Sequence, residues 1–346
     1  MKILGLISSP VNPASRVRIQ QYVAPFQAKH HQLHCKYYRP LRDANPPGWA
    51  TGLQKISGIS AWRSSDLIKS IGRTPLLIQQ SGFDIIWQNR LIQLQHVFWE
   101  KKLRKPVVFD FDDAIWLQEG EKQVQYKIAR SEMIFSGNSY LADYAARFNK
   151  NIRIVPTTVD TAILHPDGKK TDLFTIGWIG TFQNQEYLNS IKDVLLRFIQ
   201  QNKNARLIVV SDHPMGNIPF DGEQIIFRPW SADKENELIN EFSVGIMPLP
   251  DMAWTRGKCS YKMLQYMACG KPVLVSPIGK NREILTEGNI GFGATDEDNW
   301  IKALRLLKEE TALRDELGAN GRKLAEEKYS VNTWTPLLLQ YMEELI

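Results

Sequence analysis

The sequence predicts an α/β protein made of two doubly wound parallel-sheet units in tandem, and three observations carry that prediction. Short β-branched or aromatic runs alternate with helix-length amphipathic segments through both halves of the chain. The alternation breaks over 155–172, "VPTTVDTAILHPDGKKTD", where proline, threonine and charge replace it, and then restarts. The 346 residues, 43% hydrophobic and 23% charged, are enough to bury two cores.

In the first half the alternation runs through "KILGLI", "SRVRIQQYVAPF", "HQLHCKYY", "DIIWQN", "PVVFDF", "EMIFSG" and "NSYLADYAARF". The second half opens on the strand "FTIGWIG", continues through a helix over 186–201 and reaches the strand "ARLIVV". "EQIIFRPW", a helix from Asp233, "VGIMPLP", a helix between Ser260 and Gly270, "PVLVS" and helices from Asp296 onward follow. The amphipathic "VNTWTPLLLQYMEELI" reads as a closing helix. These elements divide into domains at 1–158 and 159–330, with 331–346 closing the chain. Ligands of such sheets bind beyond the carboxyl ends of the strands, so the loops after Gly180, Val210, Phe227 and Met247 are the ones to inspect.

The formal net charge of +6 and a pI of about 9.0 favour anionic partners. Nucleic acid is the weaker choice, because no nucleic-acid module is recognisable and the basic residues are spread along the chain. Cys35, Cys259 and Cys269 have neither zinc-site nor disulfide-scaffold spacing, which suits a reducing compartment. "MKILGLISSPVNP" reads as a first strand rather than a signal peptide, and no apolar run is long enough to span a bilayer. The expectation is a cytoplasmic protein, with peripheral contact to the inner face of a membrane left open.

"TRGKCSYKMLQYMACGKPVLV", 255–275, holds the densest chemistry. Ser260 is placed to cap a helix that Gly270 stops, with Met263, Leu264, Met267 and Ala268 as its core face. Lys258, Lys262 and Gln265 fall on another side. Lys258 and Lys262, four apart, are like-charged neighbours if both are helical. A helix N-terminus offers backbone N–H groups and about half a positive charge, so added cations make a diphosphate cradle. The alternative is a solvated lysine face.

The stretch "WTRGKCSYKMLQYMACGKPVLVSPIGKNREIL" resembles the donor-site segment of glycosyltransferase family four, retaining enzymes of the GT-B fold, in a bacterial-type branch with a Gly-Lys-Cys loop. "FTIGWIGTFQNQEYL", "IIFRPW", "GNIGFGATDEDNW", "VVFDFDDAIW" and "GNSYLADYA" extend the resemblance over most of the chain. It implies two Rossmann-like domains facing across a cleft, the N-terminal one on the acceptor side and the C-terminal one on the donor side. It also implies retaining transfer of a sugar from a nucleotide-diphosphate sugar, UDP-linked before GDP-linked, to a sugar, glycolipid or polysaccharide acceptor, without metal or other cofactor. Two departures stand out. Gly257 and Gln265 occupy the positions of the family's Glu-x7-Glu pair, and "GTFQNQ" replaces the arginine and lysine that relatives place after the first donor-domain strand. The diphosphate is then expected at Arg256, Lys258 and Lys262, with Cys259, Ser260, Gln265, Gly180, Thr181, Arg228 and Trp230 completing the donor site. A nucleotide-sugar epimerase and a non-catalytic nucleotide-sugar-binding subunit are the alternatives.

In the first half, "FDFDDAIW" puts Asp110, Asp112 and Asp113 at a strand end. Asp110-Phe111-Asp112 matches the Asp-x-Asp metal motif of the unrelated GT-A enzymes, but such metals sit beside a phosphate, and that site is expected in the other half. Asp112 and Asp113 are therefore expected to act without metal, bonding donor-sugar or acceptor hydroxyls, the alternative being that they cap the next helix; Lys258, at the diphosphate, is the third residue expected in catalysis. Ser15, Arg16 and Arg18, with Ser9, follow the first strand and are candidates for an anionic acceptor. Ser211-Asp212-His213 is adjacent in sequence and makes a poor hydrolase triad.

Overall fold

The computed structural model describes residues 1–10, 12–37, 78–92, 100–169, 172–214, 216, 218–219 and 221–346. The last tyrosine of "HQLHCKYY" and the Lys-Thr pair at 170–171 of the predicted connection lie outside them. The chain divides into two compact units, Met1–Val155 with Thr335–Ile346, and Pro156–Trp334. The division falls at the start of the Pro-Thr-Thr connection and again inside the helix Val331–Glu343.

Unit 1 holds β1 (Lys2–Ile7), β2 (Gln32–Tyr37), β3 (Ile85–Asn89), β4 (Val107–Phe111), β5 (Met133–Ser136) and β6 (Ile152–Ile154), all parallel in the order β2-β1-β3-β4-β5-β6. β3 and β4 are buried at every position, as expected of strands covered on both faces. Trp87 lies within 6 Å of the rings of Tyr22, Phe26 and Phe135, which centres the core on β3. The segment "SRVRIQQYVAPF" is not one helix. It divides into Pro13–Arg18, a 3-10 turn at Gln20–Tyr22 and Val23–Ala28. Pro25 has no N–H to return to Gln21, so the helix restarts with the proline in its first turn.

Unit 2 holds β7 (Phe174–Ile179), β8 (Ala205–Ser211), β9 (Ile225–Pro229), β10 (Val244–Met247), β11 (Val273–Val275) and β12 (Gly291–Gly293) in the order β12-β11-β10-β7-β8-β9. The strands are again parallel, and the order reverses between β7 and β10, where doubly wound sheets bind ligands. Two apolar clusters form, one around Phe242, Tyr266 and Met267, the other around Trp178, Phe198 and Trp300. The expected helix over 186–201 is two, Gln185–Asn189 and Lys192–Gln201, because the Ser190 hydroxyl bonds back to the Tyr187 carbonyl at 2.7 Å and Ile191 leaves helical geometry. Helix Glu297–Glu309 starts where expected, with the Asp296 carboxylate accepting the Asn299 N–H.

Candidate active site

The helix Tyr261–Ala268 is the pivot of the unit 2 site. The Tyr266 hydroxyl accepts from the Ile179 N–H at 3.2 Å and donates to the Ile246 carbonyl at 3.1 Å, tying the helix to both β7 and β10. Burial pushes that phenol far above its usual range, so it stays a neutral donor. At the other end Gly270, at φ +66, stops the helix while the Gly270 and Lys271 N–H groups close onto Met267 and Tyr266 carbonyls.

Ser260 occupies the N-cap position but does not cap. Its backbone is left-handed, φ 59 and ψ 27, rather than the extended form a serine cap requires, and its hydroxyl donates to Asn281 Oδ1 at 2.6 Å. A non-glycine residue held there costs about 1–3 kcal/mol and concentrates at ligand-binding turns. A left-handed residue leading into helix turns successive N–H groups toward one concavity, where the helix dipole adds positive potential.

Two lysines converge on this end of β7. Lys258 Nζ donates to Asn184 Oδ1 at 3.2 Å and lies 5.4 and 5.5 Å from the ring centroids of Tyr187 and Trp254. Asn184 is fixed in turn by Thr181, whose Oγ1 accepts its Nδ2 at 2.8 Å. The Lys262 stem crosses Gly180: a Cβ at that position would lie 2.7 Å from Lys262 Cε and 2.7 Å from the Trp178 ring. Lys262 Nζ rests 5.7 Å from the Trp178 centroid. Gly180, Thr181, Lys258 and Lys262 thus meet at the carboxyl end of β7, next to β10. The helical i,i+4 relation expected of the lysines is corrected, since Lys258 precedes the helix.

Other expected donor residues are placed differently. Arg256 pairs bidentately with Asp251, Nε to Oδ1 2.6 Å and Nη2 to Oδ2 3.1 Å, and this holds the Asp251 carboxyl below its usual range. Its backbone is packed under Gly279, where φ is +52 and a Cβ would meet the Arg256 carbonyl at 2.6 Å. Gln265 lies in the buried part of its helix rather than on a polar side. Cys259 is buried, with Sγ 3.8 Å from the Gly257 carbonyl. Arg228 stands 3.6 Å from Glu241. Trp230 packs on the core, and its indole N–H donates to Glu235 at 2.9 Å. Ser211 and Asp212 fix turns, accepting from Gln185 and from the Phe182 N–H, and form no triad.

In unit 1 the structure corrects Arg18 and Ser15. Arg18 is buried and bidentate on Asp110, at 2.9 and 3.1 Å, with a third bond to the Val155 carbonyl at 2.8 Å. Asp110 also accepts from Trp87 Nε1 at 3.1 Å. The buried, bidentate geometry makes this a core ion pair rather than an anion site, with burial raising the Asp110 pKa and Arg18 opposing it. Ser15 Oγ is buried against Ser8, accepting its N–H at 3.2 Å. Arg16 lies half-buried on the helix Pro13–Arg18. Asp112 and Asp113 do not cap the next turn, which starts from Ala114 without a side-chain cap. Both carboxylates pair with Arg90, 3.3 Å from Asp112 Oδ1, whose guanidinium also stands 3.8 Å from Glu119. Arg90 is itself left-handed, φ 61. Among the described residues no group of three or more His, Cys, Asp or Glu is arranged to hold a metal ion.

The sequence reading missed Asn184, Tyr187, Trp254, Asn281 and Arg90. Asn184 lies in "GTFQNQ", the loop already marked as lacking the usual cations, and Tyr187, Trp254 and Asn281 lie in the quoted donor-site stretches without having been singled out; Arg90 carries no local signal.

Two parallel-sheet units with these strand orders define the GT-B class of fold. Residues 174–310, from β7 to the helix after β12, match the family model described as Glycosyl transferases group 1. A search of curated proteins with the sequence finds no match. Among solved structures the chain is similar to Anabaena HepE in complex with UDP and glucose, with TM-score 0.68, 12% identity and 100% of each chain covered. It is similar also to a glycosyltransferase from Rickettsia africae, with TM-score 0.70, 11% identity, and 99% of this chain and 98% of that one covered. A third is the sucrose-phosphate synthase of Thermosynechococcus elongatus, with TM-score 0.68, 13% identity and the same coverage. At such identities the likeness is one of fold.

Proposed function

We propose that the protein is a retaining glycosyltransferase that moves a sugar from a nucleotide-diphosphate sugar, a UDP-sugar before a GDP-sugar, to an acceptor hydroxyl without a metal ion. The observation that carries this is the convergence of Lys258 and Lys262 on the carboxyl end of β7, beside the N-terminus of helix Tyr261–Ala268. Two ammonium groups and a helix N-terminus supply the charge that a diphosphate needs. A relative of the same fold crystallised with UDP-glucose supports the choice of nucleotide.

In this reading Lys258, Lys262 and the Ser260 turn hold the diphosphate. The bond from the anomeric carbon to the leaving phosphate oxygen breaks and a bond from the acceptor oxygen forms on the same face. The acceptor proton passes to the leaving diphosphate. No protein nucleophile is required, and the protein contributes positioning and stabilisation of the phosphate charge, the latter through Lys258. Asp112 and Asp113, held by Arg90, accept hydrogen bonds from sugar or acceptor hydroxyls of a glycolipid or polysaccharide precursor.

Incubation with UDP-glucose and candidate acceptors in the presence of a chelator, with the products analysed by NMR, tests this reading. It predicts an α-linked product and UDP. A β-linked product, dependence on metal, or epimerised donor formed without acceptor contradicts it.

A further inference from the structure

A hollow of about 460 Å³ opens at the amino edge of the unit 1 sheet, the end opposite to that used by ligands of doubly wound folds. It is bounded by Val107 at the start of β4 and Ser131 and Glu132 just before β5. Five cations line it: Lys101, Arg104, Lys105, Lys127 and Arg130.

Each carboxylate in the wall has one oxygen held by backbone: Glu132 Oε2 accepts the Val107 N–H at 2.6 Å and Glu100 Oε1 accepts the Ile92 N–H at 2.8 Å. Lys127 is 3% exposed, and its ammonium lies 5.8 Å from the Phe109 ring centroid. Among the described residues that ammonium makes no hydrogen bond or ion pair. Burial pulls its pKa down to about 8 against the attraction of Glu100 and Glu132. A buried ammonium without a hydrogen-bonded partner is costly, and an anion in the hollow removes the cost.

The charge of the chain is distributed to match. Unit 1 carries 22 Lys and Arg against 13 Asp and Glu, and unit 2 carries 21 against 24, so the positive excess lies wholly in unit 1. Guanidinium and ammonium groups around a small polar hollow suit the tetrahedral oxygens of phosphate.

We infer that this hollow binds a phosphate group, with Lys127 as its buried contact and Lys101, Arg104, Lys105 and Arg130 around its mouth. A soluble phosphate ester and a phospholipid headgroup present the same chemistry.

The test is a thermal-shift titration with inorganic phosphate in nucleotide-free, phosphate-free buffer. It uses the Lys258→Ala/Lys262→Ala background so that the proposed diphosphate site does not contribute. Phosphate should raise the unfolding midpoint. Its half-saturating concentration should increase tenfold or more in Lys127→Met and in the double variant Lys101→Ala/Arg104→Ala, whose changes lie on exposed side chains. No phosphate shift, or the same half-saturation with and without these substitutions, overturns the assignment. Sedimentation with vesicles of phosphatidylcholine plus phosphatidic acid, against phosphatidylcholine alone, separates the sources. Lys127-dependent binding to the acidic vesicles assigns the hollow to a headgroup, and phosphate binding without it assigns a soluble ester.

Discussion

Lys258 and Lys262 are four residues apart, yet only the second is helical, and each rests on aromatic rings. Their charge and their place ahead of an apolar helix were legible in the sequence, as was the nearness of Trp254, four residues before Lys258; Tyr187 and Asn184 were not, because they reach Lys258 only through tertiary packing. The consequence is a change of sign. Lys258→Ala removes two cation–π contacts, each worth about 0.5–1 kcal/mol at exposed sites, and is expected to lower ligand-free stability by about 1 kcal/mol rather than relieve a repulsion. Urea unfolding of the variant checks this.

Arg18 reads from sequence as a candidate for an anionic acceptor, and it is a core residue because Asp110, 92 positions away, meets it. Asp110→Ala strands a buried guanidinium and is expected to destabilise by about 3–5 kcal/mol, read by urea unfolding, while the folded fraction keeps normal UDP affinity. Lys127 gives a pH-dependent case. Its folded pKa of about 8 is below the ordinary 10.5, so between these values the unfolded chain binds more protons and stability rises with pH. Below pH 8 the full deficit is present, about 3 kcal/mol at most, reduced by whatever anion occupies the hollow. Lys127→Met is therefore expected to unfold at higher urea than wild type at pH 7, with the difference shrinking toward pH 10.5.

At the scale of elements, the periodic segments were legible and their interruptions were not. The helix Tyr261–Ala268 ends at Gly270 as its sequence indicates, because glycine alone takes φ +66 without strain. Its start is set by Asn281, which draws away the Ser260 hydroxyl, and nothing near Ser260 announces that. Tyr266 then fixes its distance from β7. Gly180→Ala tests whether that spacing matters, since the new methyl must displace the Lys262 stem or the Trp178 ring. The variant is expected to stay folded and to bind UDP several-fold more weakly in calorimetry, with uridine binding unchanged.

At the scale of the whole molecule, the α/β class and its doubling follow from the alternation and its break before Leu173. Strand order does not, because a parallel sheet is joined by contacts distant in sequence: β10 pairs with β7 nearly seventy residues away, Val244 opposite Ile176. Nor does the sequence show that Thr335–Ile346 belongs with unit 1, where Arg153 meets Glu344 at 2.7 Å and Tyr341 packs on Phe135.

The central claim is that the two lysines at the end of β7 hold a diphosphate. Isothermal titration of UDP and of uridine into wild type, Lys258→Ala and Lys262→Ala, with chelator present, tests it most directly. Each substitution removes a charge-assisted hydrogen bond worth about 1.5–3 kcal/mol, so UDP affinity should fall by roughly tenfold or more while uridine affinity hardly moves. Unchanged UDP affinity in both variants, or UDP binding that the chelator abolishes in wild type, would contradict it.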